Sequence, residues 1–146
     1  MSGNASVETG GSVTAQVPAQ LSLVLGAPAT FVPFTAGIAR DYLAETTATV
    51  TSIGADAALR VADTGAVAPG HLVNGSYVLQ QALQASANGG GYSPVSGIPA
   101  TLLTSIGPVS AARVTISLRQ PIAVSDPLHR GSYAKTLTFS LSTTAP

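Results

Sequence analysis

The chain is predicted to fold as an all-β, single antiparallel β-sandwich of about seven to nine strands, with a β-barrel as the alternative. Three observations predict it. Apolar and polar residues alternate with period two in most of the ordered-looking stretches, the signature of half-buried strands. These stretches are short, follow one another at roughly ten-residue spacing and are separated by Gly/Pro turns. No helical pattern persists long enough to support a βαβ unit. The 146 residues suffice for one domain with a proper core.

Residues 1–16 are rich in Gly, Ser and Thr and read as a flexible N-terminal linker, leaving 17–146 as the β-sandwich domain. Leu21, Leu23 and Leu25 then alternate with Ser22 and Val24, and Gly26 and Pro28 end that strand. A Pro-rich crossing follows, with Phe31 and Phe34 expected to point inward. In the long run from Asp41 to Gly54, Tyr42, Ala44, Thr46, Ala48 and Val50 share one parity. Glu45, Thr47, Thr49 and Thr51 share the other, and β-branched threonines suit a pleated surface. In ALRVAD, Leu59 and Val61 go in and Arg60 goes out.

Asn74-Gly75 predicts a two-residue type I′ hairpin inside HLVNGSYVL. QQALQASANGGG reads as an edge strand running into a loop. ATLLTSIGPVS and RVTISLRQPI supply two further strands, the second with Val114, Ile116 and Leu118 opposing Thr115, Ser117 and Arg119. The closing strand runs from Gly131 to Pro146. Tyr133, Leu137, Phe139 and Leu141 share its buried face, Ala134, Thr136, Thr138 and Ser140 its wet face, and the terminal proline cannot extend a ladder.

Charged residues make up 8% of the chain, and six acids cancel six bases. A neutral surface excludes the basic stripe that nucleic acid requires and the cationic patch that anionic lipid requires. There is no cysteine, which removes thiol catalysis and zinc–thiolate sites. No apolar run approaches the about eighteen residues of a membrane span. The N-terminus lacks a basic region followed by an apolar core and so does not read as a signal peptide; a leader or a larger upstream protein is expected to precede it.

Catalytic chemistry has little to stand on. His71 and His129 each lie in a turn, and no G-x-S-x-G elbow occurs. The chain is expected not to be an enzyme, and no cofactor is expected. Asp41, Asp56, Asp63 and Asp126 are dispersed and adjoin turns, where Asp caps local backbone; no metal ligand is assigned, though a loop-built calcium site stays open. Carbohydrate binding calls for exposed aromatic rings. Tyr92, in the loop NGGGYSPVSG, is the first candidate and Tyr77, past the hairpin turn, the second. Tyr42 and Tyr133 are expected to pack. Lys135, the single lysine, falls on the apolar parity with Leu137 and Phe139. It is a candidate for an intramolecular cross-link to Asn or Asp; the plainer expectation is that it snorkels to water from near the strand end. Asn4-Ala5-Ser6 and Asn74-Gly75-Ser76 match the glycosylation sequon, and the turn already accounts for Asn74.

The closing pattern Tyr133-x-x-x-Leu137-Thr138-Phe139-x-Leu141-x-x-x-x-Pro146 resembles the end of WxL-type cell-surface domains of Gram-positive bacteria, with Phe139 where the family carries tryptophan. FTAGIARDYLAETTATVTS resembles the entry of such domains into their first long strand. GHLVNGSYVL and GSYAKTLTFSLSTT are similar to C-terminal modules of large secreted actinobacterial proteins. The resemblance implies an extracellular, non-catalytic module and, for the WxL group, association with the peptidoglycan wall. No binding residue is transferred.

The expected function is therefore a non-catalytic extracellular module that attaches or spaces a larger secreted protein at the cell surface, touching polysaccharide. The expected partners are cell-wall polysaccharide or an upstream domain of the same polypeptide, without nucleic acid or membrane insertion. The alternative is a self-assembling subunit of a surface fibre or layer, built by adding residues 1–16 to a neighbour's sheet, so a homo-oligomer is open. A hydrolase centred on His71 or His129 is the third reading.

Overall fold

The computed structural model describes residues 14–18 and 20–143. The first thirteen residues of the expected linker, the Asn4 sequon and the terminal Thr144-Ala145-Pro146 lie outside the described residues. The fold is all-β and its strand pairings are antiparallel. Ten strands occur among the described residues: β1 (Gln20–Leu25), β2 (Arg40–Ile53), β3 (Ala57–Ala62), β4 (Val73–Asn74), β5 (Tyr77–Val78), β6 (Gln84–Ala87), β7 (Ser93–Pro94), β8 (Ala100–Ile106), β9 (Val109–Ile122) and β10 (Thr138–Thr143). No helix among them is long and apolar enough to cross a membrane.

The strands form a five-stranded sheet in the order β1-β2-β9-β6-β7, a three-stranded sheet in the order β10-β3-β8, and the β4-β5 ribbon. Each larger sheet has two distinct ends, so the architecture is a sandwich and not a closed barrel. The parity read from the sequence decides which residues face the interior. On β2, Tyr42, Ala44, Ala48 and Val50 are buried; on β9, Val114, Ile116, Leu118 and Ile122 are buried. All of these but Ala44 join Leu59 and Val61 of β3, together with Leu72, Leu79, Leu83 and Val95, in one hydrophobic core. Phe31 and Phe34 pack against this core, as expected for the crossing between β1 and β2. Phe34 meets Tyr42 edge-on, with ring centroids 4.7 Å apart.

Three expectations are corrected in register or extent. The hairpin pairs Asn74 with Tyr77, so its connecting residues are Gly75 and Ser76, one position later than expected. Gly75 takes a φ of 61° while Ser76 is not among the positive-φ residues. That suits a type II′ turn, which needs positive φ at its first central position only. The stretch QQALQASANGGG does form a strand, β6, but an inner one, flanked by β9 and β7. Its small side chains allow this: Ala85 and Ala87 fit beneath the opposite sheet without displacing larger residues.

The closing strand keeps its parity and loses its first half as a ladder. Tyr133, Lys135, Leu137, Phe139 and Leu141 are half-buried, while Ser132, Ala134, Thr136, Thr138 and Ser140 are exposed. Regular pairing nevertheless begins only at Thr138, opposite Ala62 of β3. Earlier in the stretch, Ala134 alone makes a bridge, with Val73. The reason is topological: β3 ends at Ala62, and the chain turns away at Asp63 before β10's partner could continue.

Candidate functional site

The outer face of the five-stranded sheet carries the first candidate. On β9 the residues opposite in parity to the buried ones are Arg113, Thr115, Ser117 and Arg119. Register places Leu43 and Glu45 of β2 beside Arg119 and Ser117. On the other flank Gln84 of β6 lies beside Arg119, and Ser86 beside Ser117. Tyr92 immediately precedes β7, and its half-buried ring lies under the Arg119 guanidinium at 4.2 Å. Arg119 Nε donates to Gln84 Oε1 at 2.7 Å, which fixes the guanidinium over the ring. Tyr92 is thus part of a surface of ring, guanidinium, amide, hydroxyl and carboxylate groups. The loop before it is held by Asn88, whose side-chain oxygen accepts from the Thr115 amide at 2.9 Å.

Tyr77 stands on the β4-β5 ribbon. Its ring is 47% exposed and stacks on His129, with centroids 3.5 Å apart and planes within 10°. Asn74 supports that neighbour by donating to the carbonyl of Arg130 at 3.0 Å and, more weakly, to that of His129 at 3.4 Å. Tyr77 belongs to the β4-β5 ribbon, whereas Tyr92 adjoins β7 of the five-stranded sheet. Tyr42 is buried and its hydroxyl accepts from the Thr35 amide. Tyr133 is half-buried and accepts from the His129 amide at 3.0 Å.

Lys135 does not snorkel to water. Its side chain is 9% exposed and its ammonium lies 3.0 Å from Asp63 Oδ2, whose own side chain is fully buried. The ammonium also donates to the carbonyls of Val67 and Ala68. Asp63 in turn accepts from the amides of Gly65 (3.0 Å) and Gly70 (2.7 Å). Burial of Asp63 disfavours its anion, but the Gly70 amide, the Lys135 ammonium and the Gly65 amide outweigh that cost. Together they hold the carboxyl below its ordinary value of 3.8. Gly70 is held tightly in this loop: at a φ of 87°, an added Cβ would fall 1.9 Å from the carbonyl oxygen of Val95.

An amide between Lys135 Nζ and Asp63 Cγ would require a neutral amine, a protonated carboxyl and loss of water. Every partner around the pair favours the charged forms instead. The lone lysine on an apolar parity was the sequence signal for a buried carboxylate partner. Nothing local distinguished Asp63 from the other three aspartates, because the pairing spans 72 positions (135 − 63).

A cleft of about 900 Å³ opens between the stretch Leu25–Phe34 and the stretch Leu128–Leu137. Its floor is apolar, formed by Leu72, Leu83 and Leu118, and Phe31, Tyr133 and Phe139 stand along its walls. No sequence pattern announced it, because its two walls lie about a hundred residues apart and neither carries a binding motif.

The two histidines have separate partners. His71 Nδ1 is 2.7 Å from the Leu79 carbonyl, and the His129 ring is the one stacked on Tyr77. Among the described residues no three His, Asp or Glu side chains come together in a way that could hold a metal ion. Asp126 caps its own turn, accepting from the Ala123 amide at 2.8 Å. Comparison of the chain with protein-family models, curated proteins and solved structures gives no match.

Proposed function

We propose that the protein is a non-catalytic extracellular β-sandwich module that attaches or spaces a larger polypeptide at a cell surface by touching polysaccharide. The observation that carries this reading is the Tyr92 ring, stacked with Arg119, which Gln84 holds in place on the wet face of the five-stranded sheet. A pyranose ring offers C–H groups on its faces and hydroxyls at its rim. The tyrosine face left uncovered by the guanidinium matches the former, and the guanidinium rim, Gln84, Ser117 and Glu45 match the latter. The guanidinium holds the ring in place before any ligand arrives, which lowers the ordering cost of binding. Neutral net charge suits an uncharged polymer, for which no electrostatic steering is needed.

The reading is tested by glycan-array and peptidoglycan pull-down measurements on the wild-type chain and on the Tyr92→Ala and Arg119→Ala variants. Each substitution is expected to weaken polysaccharide binding about tenfold or more, with Tyr77→Ala weakening it less. A folded wild-type chain that binds neither glycans nor peptidoglycan overturns the polysaccharide contact and leaves only a spacer.

A further inference from the structure

An apolar cleft stays open beyond the point where the edge strands of the two sheets meet. β1 and β10 are terminal strands of their sheets and lie close to each other; the 900 Å³ cleft touches β1 at its last residue, Leu25, and β10 at Phe139. Register pairs Leu21, Leu23 and Leu25 of β1 with Ser52, Val50 and Ala48, so these leucines face the interior. Yet Leu21 remains 36% exposed and Leu25, at the mouth of the cleft, 46% exposed. Leu137, Phe139 and Leu141 are likewise only half-buried despite facing inward.

The backbone along the cleft is equally unfinished. Between Gly26 and Thr35, the amides that find a partner among the described residues are those of Gly26, with the Thr47 carbonyl, and Thr35, with Tyr42. Along 131–137 Ala134 pairs with Val73, and among the described residues no other strand pairs with the stretch. An acyl chain or aromatic ligand would fill the apolar volume but could not pair these amides and carbonyls. An extended peptide does both: its backbone completes the edges while alternate side chains enter the cleft.

The chain carries such a peptide. Thr14–Pro18 is exposed and belongs to no strand, and Val17 is 72% exposed. In sequence, Val13, Ala15 and Val17 share one parity, and Pro18 stops the alternation. This stretch cannot serve its own cleft. It joins β1 at Gln20, whereas the cleft begins at Leu25, about 17 Å away along the six-residue strand. Turned back at Gln20, these few residues would be used up before they could lie along the cleft. We propose that the cleft between residues 26–34 and 131–139 accepts, as an added β-strand, the Thr14–Pro18 stretch of a second copy of this chain. Donor and acceptor lie at opposite ends of β1, so the contact is head-to-tail and propagates into oligomers. It does not depend on the polysaccharide reading, because Tyr92 sits at the opposite edge of the five-stranded sheet.

Sedimentation velocity over a range of concentrations tests the proposal. The wild-type chain is expected to form species larger than a monomer, and Val17→Asp, at a solvent-exposed position, is expected to stay monomeric with an unchanged β-sheet circular dichroism spectrum. The chain has no cysteine, so disulfide capture is clean. A mixture of Val17→Cys with Thr136→Cys should yield an oxidised mixed dimer, and Val17→Cys with Val124→Cys, exposed but outside the cleft, should not. A wild-type chain that is monomeric at every concentration overturns the proposal, as does equal cross-linking through Val124. A monomer whose cleft takes up the dye 8-anilinonaphthalene-1-sulfonate would overturn it in favour of a small apolar ligand. Glycan binding by Val17→Asp should be unchanged, which separates this contact from the one at Tyr92.

Discussion

Lys135 and Asp63 bind the closing stretch to the loop after β3 through one ion pair and four backbone hydrogen bonds, two to each charge. The satisfied lone pairs and protons are what make a buried pair tolerable; removing one partner strands the other charge. Asp63→Asn is therefore expected to cost about 3 kcal/mol at neutral pH, read from the urea midpoint. The pH dependence follows from the lowered folded-state value. A carboxyl whose folded value is depressed contributes stability that is present above its unfolded value, near 3.8, and lost as pH falls through the folded one. Wild-type stability should thus decline below about pH 4, and the Asp63→Asn variant should lack that component of the decline. Lys135 was legible as an anomaly, since an ammonium on an apolar parity needs an explanation. Its partner was not, because ion pairing across distant loops leaves no trace in local sequence.

Among elements, the closing stretch shows the difference between a strand-like residue pattern and a strand. Parity runs unbroken from Ser132 to Leu141, so the stretch is extended and one face is apolar. Pairing is confined to Thr138–Thr143, where β3 lies alongside. Backbone amides without a partner exchange quickly. Hydrogen exchange should therefore show protection across β10 and little across Ser132–Leu137, apart from Ala134. Protection gained by Thr136 and its neighbours at high protein concentration would report the added strand directly. The hairpin and β6 make the same point at smaller scale. Asn74-Gly75 located the turn, but cross-strand pairing moved it by one residue; the alanines of β6 marked a strand, but only the layer above decided that it lies inside.

Across the whole molecule, the two sheets share one core, to which β2, β3 and β9 all contribute. Such a domain should unfold as a unit. Leu59→Ala in the three-stranded sheet and Ile116→Ala in the five-stranded sheet are each expected to cost about 2–4 kcal/mol. Thermal unfolding of either variant, followed by circular dichroism and by tyrosine fluorescence, should show a single coincident transition. Two separated transitions would mean that the sheets fold independently.

Period-two parity and Gly/Pro punctuation determined the all-β class, the inward faces of β2, β9 and β10, and the burial of Tyr42. These are local quantities: alternation decides which side of a strand is apolar before any partner is present. Sheet order, the Asp63–Lys135 pairing, the seating of Tyr92 under Arg119 and the cleft beside β10 were decided by the tertiary structure alone. Each depends on which distant segment comes to lie alongside. That choice follows from the free energy of closing loops and filling one common core, and no single stretch of sequence contains it.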